Sequence, residues 1–296
     1  MPVPPLRPAE LRGRVFRGTW AVGAGLLTEQ QLRSSAWRRL RRDVYADADL
    51  AVDHQLLARG VSLVMPRAAA LGGRTAAVLW GLDDLASVDD PVEVVVPPGT
   101  RWTPGPGVRV RSAPLAGDVV RSGRVLRWTS RVRTAVDLIR RDEGDESVVL
   151  LDRLVTARVV ALADVRAAVA ALPPGGRGTV AARRTASLAD GLAESPPETR
   201  LRLLLHRSEL PRPVAQYQVR VDGRFRKDPV LLTPRKLGAS LWTGPGAWHG
   251  DVAQFPEDRR RLNRITAAGW RVHFVTKQDV RRPAELLAGI AAALAW

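Results

Sequence analysis

Between Asp53 and Met65, apolar Leu56, Leu57, Val61 and Val64 recur at the intervals of one helix face. RTAAVLWGL over 74–82 reads as another helix, stopped by Gly81. The period then shortens. PVEVVVPPG over 91–99 predicts a strand closed by Pro97, Pro98 and Gly99. The alternation in VRVRSAPL and GDVVRSGRVLRWTS predicts further strands. Helix returns at Ser130 in SRVRTAVDLIRR and again over 145–171. LPPGGRG follows, a Pro/Gly break that reads as a linker.

Pro and Gly interrupt residues 1–25, which read as irregular. A helix is expected in LLTEQQLRSSAWRRL, where Thr28 and Gln31 have the spacing of a capping box. Leu32, Trp37 and Leu40 give it a partial apolar face, while Arg33, Arg38, Arg39, Arg41 and Arg42 crowd its end. RDVYAD is short and β-prone. Helix, basic turn and strand together predict a reduced winged helix-turn-helix whose Arg side chains reach the phosphates of double-stranded DNA. A solvated basic helix end, favoured by the helix dipole, accounts for the same residues.

Towards the C-terminus the pattern predicts a helix from Pro196 to Ser208 and strands over 214–221, 224–232 and 236–242. A basic helix over 254–268, a strand over 270–276 and a last helix from Pro283 follow. This is the core order of restriction-endonuclease-like folds, though many α/β domains share it. The expected fold class is α+β in three parts. These are a winged-helix-like region over 1–52, an α/β region over 53–190, and a mixed sheet flanked by helices over 191–296.

The formal charge of +16 narrows the partners to a polyanion, most simply nucleic acid. Lys stands only at 227, 236 and 277, an Arg bias that GC-rich codons also produce. With no Cys, disulfides, thiol nucleophiles and Cys-based zinc sites are excluded. MPVPPLRPAELRGR lacks the apolar core of a signal peptide, and no apolar run reaches the roughly 18 residues of a membrane span. A cytoplasmic protein with no membrane partner is expected.

VDHQLLARGVSLVMPRAAALGGRTAAVLWGLD, DPVEVVVPPGTR and WTSRVRTAVDLIRR resemble bacterial proteins with an AbiEi-type antitoxin region. AESPPETRLRLLL, GAWH and AQFPEDRRRLNRITAAGWRVHFVTKQDVRRP resemble their C-terminal domain, which is similar to very-short-patch-repair (Vsr) endonucleases of the PD-(D/E)XK fold. From about Leu26 the resemblance covers nearly the whole chain, and the order and spacing of these segments carry it. It implies a DNA-binding front region and a nuclease-like domain. Double-stranded DNA and a cognate toxin are the implied partners, and Mg²⁺ the cofactor of any cleavage.

Nucleases of this kind hold Mg²⁺ between carboxylates, where it neutralises the scissile phosphate and lowers the pKa of the attacking water. The resemblance puts Asp228 at the first metal-binding Asp, Glu198 (or, less closely, Glu194) at the first-helix Glu, and His249 in the Trp-His that follows the second motif. The second motif, Glu-x-Asp-Gly, is missing. From Pro229 to Gly250 there is no Asp, Glu, Asn or Gln. Counting back from Gly246 puts its acidic positions on Thr243 and Pro245; aligning on Pro234 and Leu237 puts them near Ser240 and Trp242.

Each surviving residue also has a structural reading. Ser195 and Glu198 have the spacing of a capping box with Pro at the first helical position. Asp228 can open a turn before Pro229, and His249 can be a hydrogen-bonded structural residue. A decayed site and a segment over 226–248 read in a shifted frame both account for the gap. The expected function is DNA binding through Arg33, Arg38, Arg39, Arg41, Arg42, Arg259 and Arg260, with Asp228, Glu198 and His249 as catalytic vestiges. A Mg²⁺-dependent endonuclease and an antitoxin that touches only its toxin are the alternatives.

Overall fold

The Asp53 carboxylate accepts a hydrogen bond from the Leu56 amide at 2.6 Å and so starts the first long helix of the chain, α2 (His54–Ser62). The computed structural model describes residues 5–123, 125–141, 144–214, 218–221, 224–227, 231–233, 237–241, 263, 267 and 271–295. It is α+β, and it divides into two compact units, 1–138 and 139–296.

The first unit opens with β1 (Val15–Arg17), α1 (Gly18–Gly23), β2 (Trp37–Arg41) and β3 (Val44–Asp47). The strands form an antiparallel sheet in the order β1-β3-β2. Residues 1–25 are therefore not wholly irregular, and the predicted helix over 28–40 is largely replaced. Thr28 and Gln31 do make reciprocal capping contacts, at 2.8 and 3.2 Å. The helix they start is only the single 3-10 turn Gln31–Arg33, and the chain turns extended at Ser34. Trp37 and Leu40 lie on β2 instead. A register shift between Arg39 and Arg41 breaks the strict alternation, leaving apolar residues three apart that mimic a helical interval. The RDVYAD strand is present as β3.

α2 and α3 (Gly73–Leu79) pack on a mixed five-stranded sheet in the order β6-β5-β4-β8-β7. Its strands are β4 (Ala70–Leu71), β5 (Val92–Val96), β6 (Val108–Ser112), β7 (Val119–Ser122) and β8 (Leu126–Thr129). All five residues of β5 are buried. Val92, Val94 and Val96 join Ala58, Val61 and Met65, while Val95 packs with Ala70 and Leu115 on the opposite face. A strand covered on both faces reads as a nearly continuous apolar run, here interrupted by buried Glu93. His54 is buried at 3% exposure, with Nδ1 2.8 Å from the Ser87 carbonyl oxygen and Nε2 2.8 Å from the Thr75 hydroxyl. The carbonyl can only accept, so Nδ1 carries the proton. α4 (Arg131–Ile139) closes the unit in sequence.

The second unit holds α5 (Asp145–Thr156), α6 (Leu162–Ala170), α7 (Thr179–Leu188) and α8 (Pro196–His206). The expected linker over 172–178 is a turn inside this unit. Arg140 donates from Nε and a terminal nitrogen to the Arg177 carbonyl oxygen, at 3.1 and 2.7 Å. Gly178 takes φ 73°, and a Cβ there would stand 2.3 Å from the Arg140 carbonyl oxygen. The expected boundary near 190 also falls within the unit.

Among the described residues, the expected strands over 214–221, 224–232 and 236–242 appear as the antiparallel pair β9 (Gln218–Val221) and β10 (Arg224–Lys227), then β11 (Leu231–Thr233) and β12 (Leu237–Leu241). β12 pairs antiparallel with β11 and parallel with β13 (Arg271–Val275), giving a mixed sheet. After β13 come α9 (Lys277–Val280), held by a capping box between Thr276 and Asp279, and α10 (Pro283–Ala295). Leu201 and Leu205 of α8 share one core with Val275 of β13 and with Leu286, Ile290 and Leu294 of α10. The basic helix expected over 254–268 lies largely outside the described residues. Among those described, no helix is long and apolar enough to cross a membrane.

Candidate nucleic-acid interface

The β2–β3 hairpin turns through Arg42 and Asp43, and Asp43 adopts the left-handed conformation at φ 59°. Asp tolerates that region better than most side chains because its short polar group can bond locally. Here it does more. Its carboxylate accepts from the Thr19 amide at 2.7 Å, the Thr19 hydroxyl at 2.9 Å and Arg17 Nε at 2.8 Å. Its carbonyl oxygen accepts from the Gly18 amide at 3.1 Å. One residue thus caps α1 and fastens it to the hairpin tip. Partial burial pushes the Asp43 carboxyl up, but the Thr19 amide, Arg17 and the Thr19 hydroxyl outweigh it and hold it below the usual carboxylate range.

Beneath the tip, Phe16 meets Trp37 edge-on at 5.2 Å and stacks on Tyr45 at 6.2 Å. Gly18 rides on Tyr45; a Cβ there would stand 2.7 Å from the ring. At the far end of β3, buried Asp47 accepts from the Gly13 amide at 2.8 Å and pairs with Arg7. Burial raises its carboxyl, and the Gly13 and Asp49 amides with Arg7 bring it back below its ordinary value.

The predicted arginines separate on this frame. Arg33, Arg39 and Arg42 are exposed, and no acceptor for their side chains occurs among the described residues. Arg38 is exposed too, with one terminal nitrogen on the Leu50 carbonyl oxygen at 3.0 Å. Arg41 turns inward to the Pro104 carbonyl oxygen, and burial lowers its guanidinium below the usual value. It is a strut of the first unit. Arg259 and Arg260 lie outside the described residues.

The chain is 31% identical over 273 residues to the uncharacterized protein Rv2248 of Mycobacterium tuberculosis strain H37Rv, an alignment covering 90% of this chain and 96% of that protein. Uncharacterized protein MT2308 of strain CDC 1551 aligns identically. The chain belongs to this Rv2248 family. No protein-family model matches it. Among solved structures, that of the RV2827C protein from Mycobacterium tuberculosis aligns with a TM-score of 0.41 and 15% identity over 71% of this chain and 85% of that one.

In this Rv2248-family chain, Glu198 is the one expected catalytic residue that is described. It sits in the first turn of α8, where its carboxylate accepts from the Ser195 hydroxyl at 2.8 Å and the Glu194 amide at 3.0 Å. The Ser195 side chain does not cap the Glu198 amide, and Glu198 takes the Glu194 rather than the Ser195 amide, so neither bond of the expected capping box is present. Asp228 and His249 lie outside the described residues. Both oxygens of Glu198 are engaged in starting α8, and the sequence offers no second carboxylate between Pro229 and Gly250. This donor set does not fit a Mg²⁺ site, which needs carboxylates or substrate phosphates to fix the ion.

One acidic centre had no sequence signal. Asp152 of α5 is 1% exposed and accepts four hydrogen bonds. The Asp190 and Gly191 amides donate at 3.0 and 2.8 Å, the Thr199 hydroxyl at 3.0 Å and Arg202 at 2.8 Å. Arg202 Nε also lies 3.1 Å from Asp190, close enough for an ion pair but without hydrogen-bond alignment. Burial raises the Asp190 carboxyl. With all its bonds made, Asp152 is a clamp between α5, the 189–191 turn and α8.

Proposed function

We propose that this chain binds double-stranded DNA through Arg33, Arg38, Arg39 and Arg42, as an AbiEi-antitoxin-like, Vsr-nuclease-like regulator that does not cleave its target. The supporting observation is the set of exposed guanidinium groups on and beside the β2–β3 hairpin, with the nearest tip carboxylate already consumed by Arg17 and Thr19. Guanidinium groups pair with phosphate oxygens in a fork geometry, and phosphate contacts supply most of the sequence-independent affinity for DNA. A toxin–antitoxin or defence locus in the cytoplasm is the setting that this reading gives the protein.

Titration of a labelled duplex at increasing salt tests it. Log K should fall by about 0.9 per phosphate contact per log unit of salt, and the Arg39→Ala/Arg42→Ala double variant should flatten the slope by about 2 while lowering affinity. No binding by the unaltered chain at low salt ends the reading. An antitoxin that touches only its toxin would still retain that partner in affinity capture after nuclease treatment, while showing no salt-dependent DNA binding of its own.

A further inference from the structure

Trp20 is 52% exposed, an unusual position for so large an aromatic side chain in a unit that buries Phe16 and Trp37. α1 buries Gly18 and Ala21 and turns Thr19, Trp20 and Gly23 outward. One helical turn beyond Trp20 stand Gly23 and Ala24, so no large side chain follows it on its own helix face. Its place relative to the hairpin is fixed by bonds already described. Thr19, its neighbour in sequence, bonds Asp43, whose own neighbour is Arg42. The backbones of Trp20 and Arg42 are therefore joined through one hydrogen-bonded link, and the carboxylate in that link is consumed by Arg17 and Thr19.

We infer that Trp20 is a stacking surface for an unpaired base of the DNA, and that the protein prefers a duplex carrying unpaired bases to an intact one. The inference rests on the DNA-binding reading above. Every base has a π-face, so an indole beside phosphate-pairing arginines holds an extruded base without reading its sequence. In an intact duplex the bases are stacked on each other, and Trp20 gains little.

The test uses the full chain with two labelled probes of equal length, a blunt duplex and the same duplex with a central run of unpaired thymines. Unaltered protein should bind the interrupted duplex roughly five- to tenfold more tightly. Trp20→Ala should abolish that preference while leaving affinity for the blunt duplex within about twofold, and Trp20→Phe should keep most of it. Arg39→Ala/Arg42→Ala should weaken both probes alike. Equal preference in Trp20→Ala and unaltered protein, with the arginine variant still impaired, overturns the stacking role and leaves the DNA reading intact. Failure of unaltered protein to bind either probe overturns both. Should Trp20→Ala not fold, quenching of Trp20 emission on adding the interrupted duplex, taken as the difference between unaltered protein and Trp20→Phe, gives the answer. No quenching beyond that of Trp20→Phe sinks the proposal.

Discussion

Asp43 carries two jobs that different substitutions separate. Its backbone sits at φ 59°, which Asn shares readily and Ala does not, and its carboxylate caps α1 and pairs with Arg17. Asp43→Asn should therefore cost about 1 kcal/mol through the lost charge and one lost acceptor. Asp43→Ala should cost about 2 kcal/mol, adding backbone strain to the lost cap. Because the folded carboxyl lies below its ordinary value, its contribution is present above the unfolded value of about 3.9 and fades as pH falls through the lowered one. The stability difference between unaltered protein and Asp43→Asn, followed by denaturant unfolding, should accordingly shrink on acidification and stay constant near neutrality. A difference that grows towards acid would contradict the assigned sign. Nothing local in the sequence marks Asp43, because its partners Arg17 and Thr19 lie more than twenty residues away. The sequence groups Arg41 with the DNA-facing arginines for the same reason, since nothing local announces the Pro104 carbonyl oxygen that it meets.

Elements with ordinary hydrophobic periodicity were legible: α2, α3, β5 to β8, α4, α5, α8 and α10 stand close to their expected places. α7 carries no such signature. The face it buries is Thr179, Ala182, Thr185 and Ala186, small residues and hydroxyls rather than an apolar stripe, with Thr185 bonded to the buried Ser147 hydroxyl at 2.7 Å. Its start depends on Gly178, which combines a left-handed conformation with close backbone approach. Gly175 shares the conformation, at φ 74°, but has open space around it. Gly178→Ala should thus lose roughly 2–4 kcal/mol, combining strain with displacement of the Arg140 peptide, and Gly175→Ala only about 1 kcal/mol. Thermal unfolding of the two variants side by side checks the pairing; equal losses would mean that conformation alone matters.

For the whole molecule, the α+β class and the mixed sheet near the C-terminus followed from element order, whereas the division after residue 138 did not, because a Pro/Gly-rich turn imitates a linker. The catalytic question also belongs to this scale, since a metal site needs ligands brought together from several elements. With Glu198 committed to the start of α8 and no acid between Pro229 and Gly250, purified protein should not nick plasmid or mismatched duplex above background with Mg²⁺ or Mn²⁺. Asp228→Ala should leave DNA affinity nearly unchanged. Metal-dependent nicking that Asp228→Ala abolishes would show that another ligand completes the site.

The wholly buried strand β5 brings a hazard of its own. VEVVV is short and β-branched with a single charge, at Glu93, a composition that can pair with copies of itself when a chain emerges unfolded. Its native neighbours arrive at different times: β4 precedes it, whereas β6 must still be made. Asp89, Asp90 and Pro91 stand before the run, and Pro97 and Pro98 directly after it. Prolines withhold the amide that an intruding strand would need, and paired acids repel one another in a stack of identical chains. The acids and prolines that bracket β5 in the sequence thus stand where gatekeepers belong, disfavouring a wrong partner for the strand before its own sheet closes over it.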